Sequence, residues 1–197
     1  MGYGIALSVA FCVAVGSAEP FPSDPALEDW RAFSRRPEAR ELISWLRCHA
    51  RGLMTGNRCD AVLIPRTPPL FGTLGVFITI VKARAVRGCY GAFDHHVREA
   101  KDLLLDYLEG ALVRDARYRP LLIHELESSQ IILTIASRPR PAGSLEAIDT
   151  AHLGVFLECD GEARVYVPAE LRATADIERE ARRLNCQVYE FNAVTIR

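Results

Sequence analysis

Residues 74–91 read LGVFITIVKARAVRGCYG, and this stretch decides the fold. Residues 74–81 are apolar and rich in β-branched side chains, which is typical of a buried strand that ends at Lys82. Residues 87–91, Arg-Gly-Cys-Tyr-Gly, follow, and the glycines on both sides of Cys89 permit backbone turns and close approaches that other residues forbid. The stretch therefore predicts a core strand that leads into a turn carrying a candidate site.

Helices are predicted on both sides of this stretch. Apolar residues fall on one stripe from residue 96 to 112, and they recur at helical spacing from residue 37 to 53. Pro37 suits the first turn of the earlier helix, and Gly52 or Gly56 suits its end.

The remainder of the chain alternates between strand and helix signals. Strands are predicted at residues 131–135, 153–158, 164–167 and 188–196, and a helix at residues 175–184. Asp160-Gly161 between the second and third of these strands indicates a hairpin. Because the elements show no regular βαβ repetition, we predict an α+β fold with a largely antiparallel sheet flanked by helices.

Bulk composition excludes some partners. The chain has 197 residues, 49% of them hydrophobic, which is enough apolar side chain for one sizeable core. The formal net charge of -1 provides no field that would attract nucleic acid, so none is expected as a partner.

The N-terminal segment resembles an export signal. Residues 1–18 are predicted to be a signal peptide, because an apolar run ends in small residues at 16–18 and is too short to span a membrane. An extended leader is predicted over residues 19–36 and the folded domain over residues 37–197. The first residues carry no Lys or Arg, so a cytoplasmic chain without a signal peptide stays open as the alternative.

Cysteine usage fits the predicted export. Cleavage after residue 18 would remove Cys12 and leave five cysteines, an odd number that cannot all be joined in disulfides. Cys48 and Cys59 are the predicted pair, because the end of the predicted helix and the turn after it can fold the two back on each other.

Cys89 is the centre of the candidate chemistry. Arg87 and the start of a helix near His95 would lower the pKa of its thiol, so that Cys89 acts as nucleophile and His95 or His96 as base. Exposed amides would then stabilise an oxyanion. In the alternative, Cys89 is a small buried apolar residue and the glycines serve packing alone.

Cofactor and metal motifs are missing from the sequence. The adjacent histidines 95 and 96 point in different directions on either a helix or a strand, so they do not predict a shared metal ion. GxxxxGK, GxGxxG, HExxH and GxSxG are absent, and we expect no cofactor.

Several stretches together resemble the AMMECR domain family, over about residues 38–197. Residues 86–93, VRGCYGAF, are similar to the family's LRGCIGTF signature, and residues 75–79, GVFIT, are similar to the GVFVT strand before it. Residues 115–120, DARYRP, resemble the family's D-x-R-F-x-P. The pairs Glu125-Leu126 and Tyr189-x-Phe191 fall where the family has EL and YxF. The chain therefore resembles a divergent, exported member.

The resemblance implies an α+β fold with a larger and a smaller subdomain and a site around the cysteine signature, but no known activity. Transferred residue by residue, it implies that ligand-binding residues lie beside the cysteine: Arg87, Gly88, Gly91, Asp115 and Arg117.

Two departures from the family pattern bear on function. Ala92 stands where the family has threonine, and Tyr90 stands where it has a small aliphatic residue. We therefore expect a module that binds a small molecule or a protein, with no membrane span after signal removal. The alternative is an enzyme that uses Cys89 as a nucleophilic or redox thiol with a histidine base.

Overall fold

The computed structural model describes residues 24–60, 63–70, 74–95, 99–143, 145, 148–149, 152–160, 162–168 and 174–197. The predicted signal peptide over residues 1–18 therefore lies outside the described residues. Within the described part, no helix is both long enough and apolar enough to cross a membrane.

An antiparallel sheet forms the centre of the molecule. Its strands are β1 (Gly75–Lys82), β2 (Ala85–Ala92), β3 (Ser129–Ala136), β4 (Arg140–Pro141), β5 (Leu153–Cys159), β6 (Glu162–Tyr166) and β7 (Gln187–Ile196). The spatial order is β2-β1-β3-β7-β5-β6, and the short β4 pairs with β7. With the helices described next, this confirms the predicted α+β fold.

Helices cover one side of the sheet. They are α1 (Pro25–Phe33), α2 (Pro37–Thr55), α3 (Ala100–Glu109), α4 (Ile123–Glu127) and α5 (Thr174–Arg183). The predicted helices at 37–53 and 175–184 are confirmed, and α2 ends at Gly56 in the left-handed conformation. The helix predicted over 96–112 is described from residue 100, and a π-helical turn, Gly110–Arg114, continues it.

Helix α1 corrects the predicted leader. The prediction of extended chain over residues 19–36 is wrong at residues 25–33, where Leu27, Trp30 and Phe33 are buried on one face. Pro25 occupies the first turn, where a missing N–H is harmless, and the side chain of Asp24 accepts a hydrogen bond from Ala26 N at 3.0 Å. Pro25 therefore starts a helix here instead of excluding one.

The cysteine signature also differs from its prediction. It forms β2, a strand in a hairpin with β1, in which Cys89 pairs with Thr79. Ala83 and Arg84, with φ of 50° and 64°, make the hairpin turn, so the change of direction comes before the signature. The glycines of the signature thus allow close packing of a strand and do not form a turn.

Two apolar cores lie on opposite faces of β1. The larger core packs Val76, Ile78 and Ile80 against α1, α2 and α3. On the opposite face a smaller cluster joins five buried residues: Phe77, Cys89, Ala136, Val167 and Phe191. A third cluster lies between α5 and the strands β5 and β7, which form the smaller part of the fold.

Two disulfides join cysteines in the described part of the chain. Cys48–Cys59 confirms the predicted pair and ties α2 to the segment that follows it. Cys159–Cys186 joins the end of β5 to the start of β7, and the sequence did not indicate this pairing. Cys89 belongs to neither disulfide.

Candidate functional site

Cys89 lies on the face of β2 that is turned away from the helices. Its residue is 8% exposed, and the Thr79 hydroxyl donates a hydrogen bond to its sulfur at 3.2 Å. The backbone N–H of Cys89 points to the outer edge of the strand, where it donates to Asp115 Oδ2 at 2.8 Å. The thiol and the amide of this residue are therefore both held in place.

Asp115 connects β2 to the segment after the π-helical turn. Besides the Cys89 amide, its carboxylate accepts hydrogen bonds from the backbone N, Nε and Nη2 of Arg117 at 3.1, 3.0 and 2.9 Å. Burial by itself raises the pKa of Asp115, but the hydrogen bonds from Arg117 and Cys89 outweigh it and hold the pKa below its usual value. The structure thus brings the predicted residues Asp115 and Arg117 together with Cys89.

Arg87 is engaged on the other side of the signature. Its Nε and Nη2 donate to the two carboxylate oxygens of Glu125 at 3.3 and 3.2 Å. Glu125 is 4% exposed, and the Arg87 hydrogen bonds together with the Leu122 amide lower its pKa to about 2. Arg87 therefore joins β2 to α4.

The two predicted glycines each sit where there is no room for a side chain. A Cβ on Gly88 would lie 1.9 Å from the carbonyl oxygen of Ala111 in the π-helical turn. A Cβ on Gly91 would lie 2.1 Å from the carbonyl oxygen of Val76. Both glycines therefore permit close backbone approach.

A cavity opens beside Cys89, between the two outermost strands of the sheet. It has a volume of about 350 Å³ and is bordered by residues 89–91 of β2, residues 114–117, residues 162–165 of β6 and Phe77. We call it the Cys89 cleft. β2 and β6 are the two ends of the strand order, and both border this space. The sheet is therefore curled, so that its two edges face each other across the cleft.

The cleft has a rim of paired charges. Three arginines, Arg114, Arg117 and Arg164, and two carboxylates, Asp115 and Glu162, line it. The Arg114 guanidinium lies 4.8 Å from the centre of the Tyr90 ring, and Arg164 Nη2 lies 3.0 Å from a Glu162 oxygen. Arg114 Nη2 also lies 2.7 Å from Asp106 Oδ1, and Arg164 pairs with Glu180 as well as with Glu162, so each arginine of the rim already has a carboxylate partner.

The floor of the cleft is apolar. Phe77 and Cys89 belong to the buried cluster on this face of the sheet, and Val165 packs against that cluster. A bound molecule would therefore meet apolar surface at the floor and charged residues at the rim.

Of the two histidines predicted as a base, the described one, His95, is not brought to the thiol. His95 Nδ1 lies 2.8 Å from the Tyr107 hydroxyl, and its Nε2 lies 2.8 Å from the carbonyl oxygen of Leu74. Burial raises the pKa of Tyr107 to about 12. His95 is not among the residues that border the cleft, and His96 lies outside the described residues.

A metal site would need several ligand side chains close together. In the described ranges, no three His, Cys, Asp or Glu side chains lie together as an ion would require.

Comparison with known proteins identifies the family. The sequence profile of AMMECR1 matches residues 39–188. The chain belongs to the AMMECR1 family. This confirms the resemblance found in the sequence, and the matched range includes every residue that borders the Cys89 cleft.

Two relatives of this AMMECR1 chain illustrate how far the similarity extends. A curated protein from Methanosarcina acetivorans is 36% identical over 105 residues, which are 52% of this chain and 52% of that protein. The chain thus spans about half the length of the curated relative it matches. The crystal structure of the uncharacterized protein PH0010 from Pyrococcus horikoshii superimposes with a TM-score of 0.60 at 16% identity, covering 80% of this chain and 90% of that one. The second likeness concerns the fold alone.

Part of the site was missed in the sequence. The predicted site residues did not include Thr79, which contacts the Cys89 sulfur, or residues 162–165, which border the Cys89 cleft. The pairing of Thr79 with Cys89 follows from the hairpin register, which a correct strand prediction for residues 85–92 would have indicated. For β6 the sequence holds no such signal, because the position of β6 opposite β2 depends on the curl of the whole sheet.

Proposed function

We propose that this AMMECR1-family chain is a binding module and that the Cys89 cleft is its binding site. The observation that carries the proposal is the cavity between the two sheet edges, with an apolar floor and three arginines among the residues that border it. Pockets that combine apolar walls with a few convergent polar groups are the usual form of a ligand site. The ligand class that fits has an anionic group and an apolar part.

The charged rim favours an anion because arginine offers several donors. A guanidinium carries five N–H groups in a fixed fork, so an arginine that already contacts one carboxylate can still donate to a second. Arg114 and Arg117 have side chains that are 40% and 44% exposed. An anionic group at the mouth of the cleft can therefore reach them without unfolding the rim.

Catalysis by Cys89 is the less favoured alternative. A general base must lie within hydrogen-bond reach of the proton it removes. His95 is held by Tyr107 and Leu74, and the hydrogen bond to the Cys89 sulfur comes from Thr79. A binding role needs no such base.

Export is part of the proposal. Two disulfides fit an oxidising compartment, and residues 1–18 have the composition of a signal peptide. We expect mature protein that begins at Glu19, which N-terminal sequencing of material from native cells will detect. Native protein that retains Met1 would contradict export by a cleaved signal.

Benzoate, which joins an apolar ring to a carboxylate, is a suitable probe of the cleft. In NMR titrations of the labelled full chain, we expect saturable shifts of amides in residues 89–91, 114–117 and 162–165. Ala163→Trp, which fills the cleft from β6, should abolish these shifts. Ala26→Trp, at an exposed position on α1, is the matched control and should retain them.

Two outcomes would overturn the proposal. One is that benzoate shifts no amides of the cleft. The other is that the same shifts persist in the Ala163→Trp protein.

A further inference from the structure

The walls of the Cys89 cleft are strand edges and not strand faces. Residues 162–165 of β6 all border the cavity, and so do residues 89–91 of β2. Because neighbouring side chains of a strand point to opposite faces, a cavity against one face would be bordered mainly by alternate residues. Consecutive residues therefore indicate that the outer edge of each strand, where the main chain lies, faces the cavity.

The two edges differ in how they are covered. On β2, the Asp115 carboxylate accepts the Cys89 N–H and so covers part of the edge. On β6, the strand pairs with β5 on one side, and it ends the strand order of the described sheet. An open edge of this kind presents main-chain N–H and C=O groups to an added strand.

The size and charge of the cleft agree with a short extended chain. Four residues of strand extend over roughly 13 Å, so residues 162–165 offer an edge for about four residues of a ligand. In an added strand, alternate side chains would face the apolar floor at Phe77 and Val165, and the others would face the rim. Since a guanidinium that already contacts one carboxylate can still donate to a second, an acidic side chain suits a position beside the arginines of the rim.

We propose that the Cys89 cleft binds an extended peptide segment of a partner protein. The segment adds to β6 through main-chain hydrogen bonds, with an acidic residue at the arginine rim and small apolar residues on either side of it. The inference rests on the proposed function and names the ligand of that site.

A library of random hexapeptides displayed on phage is the first probe. Selection on the full chain should enrich peptides in which aspartate or glutamate stands between aliphatic residues. The enriched peptide, made synthetically, should bind Ala163→Trp at least about tenfold more weakly than wild type, and should bind Ala26→Trp normally. Replacing the acidic residue of the peptide by its amide should weaken binding about threefold to tenfold.

Backbone methylation tests the main-chain pairing itself. Alternate N–H groups of an extended peptide point toward the strand it joins, and the intervening ones point away. Two versions of the peptide are compared, each N-methylated on one of these two sets. One version should lose about tenfold or more in affinity, while the other stays within about twofold of the parent peptide.

The contrary results separate this inference from the proposal it rests on. Equal effects of the two methylation sets, equal binding to Ala163→Trp, or no enrichment from the library would each overturn the peptide inference. If benzoate still shifts the cleft amides in that case, the proposed function stands. If benzoate does not shift these amides either, the peptide inference and the proposed function are both wrong.

Discussion

At Gly88 the signature strand passes so close to the π-helical turn that no side chain fits between them. A Cβ there would lie 1.9 Å from the oxygen of Ala111, which is backbone and cannot rotate away. One residue earlier in the helical segment, a Cβ on Gly110 would lie 2.3 Å from the ring of Tyr90, also on β2. The packing of β2 on the helical layer thus depends on glycines from both elements.

Gly88→Ala should therefore be strongly destabilising. We expect the free energy of unfolding to fall by about 3 kcal/mol, or folding to fail, because overpacking against a fixed backbone forces β2 off the helix. Urea denaturation measures the loss. Gly143→Ala is the matched control, since a Cβ there meets nothing within 4 Å, and it should change stability by less than about 0.5 kcal/mol. Similar losses in both variants would contradict the close approach.

Glu125 is the residue at which several basic side chains converge. Besides the paired hydrogen bonds from Arg87, Lys82 Nζ and Arg119 Nη2 each lie 3.7 Å from its Oε1. The pKa of Glu125 is lowered from 4.5 to about 2, first by the Arg87 hydrogen bonds. The ionised carboxylate therefore stabilises the fold above the unfolded pKa, and this contribution is lost as pH falls toward the folded pKa.

The wild type should lose stability as the pH is lowered from about 5 to about 2, and Glu125→Gln should show a shallower loss over the same window. Urea denaturation at several pH values measures both slopes. Glu127→Gln is the control, because the Arg51–Glu127 pair is more than half exposed, and it should keep the wild-type slope. An unchanged slope in Glu125→Gln would contradict the role of this carboxylate.

At the scale of elements, the two disulfides close loops of different length. Cys48 and Cys59 are separated by 11 positions, and Cys159 and Cys186 by 27. The second bond lies where β5 and β7 are already paired, next to the Glu158 and Gln187 partners, and it closes the loop that contains β6 and α5. It therefore holds the wall of the Cys89 cleft against the rest of the sheet.

Replacing each pair by serine should lower the free energy of unfolding by about 3 kcal/mol for the shorter loop and about 3.5 kcal/mol for the longer one, by loop entropy. The Cys159/Cys186 double variant should also show faster hydrogen exchange at residues 162–166, whereas the Cys48/Cys59 variant should not. Unchanged exchange in the first variant would contradict the support of β6 by this bond.

An element could be predicted from the sequence where neighbouring residues alone carry its pattern. The strands β1 and β3 were predicted because each is a run of apolar β-branched residues, and α2 because its apolar stripe is long. Helix α1 was missed because Pro25 and the prolines that precede it in the sequence obscured the spacing of three buried apolar residues. The π-helical turn could not be predicted, since it packs on β2 through contacts between distant residues.

At the scale of the whole molecule, the site exists because the sheet curls. The Cys89, Asp115 and Arg117 group was predictable from the signature and from the segment that resembles D-x-R-F-x-P. The opposite wall, β6, is placed by the strand order β7-β5-β6, which no residue of β6 encodes by itself. One of the two walls of the Cys89 cleft is thus positioned by the topology of the sheet.

The most direct test of this arrangement is the reaction of Cys89 with small charged thiol reagents. The thiolate attacks a methanethiosulfonate, forms a mixed disulfide and releases methanesulfinate. Mass spectrometry of the Cys89 peptide gives the rates for the anionic sulfonatoethyl and the cationic trimethylammonioethyl reagents, each normalised to its rate with mercaptoethanol. A cleft that opens onto Cys89 predicts that both reagents react more slowly with Ala163→Trp than with wild type, and that Ala26→Trp reacts at the wild-type rates. No effect of Ala163→Trp, or equal slowing in Ala26→Trp, would contradict a cleft that opens onto Cys89.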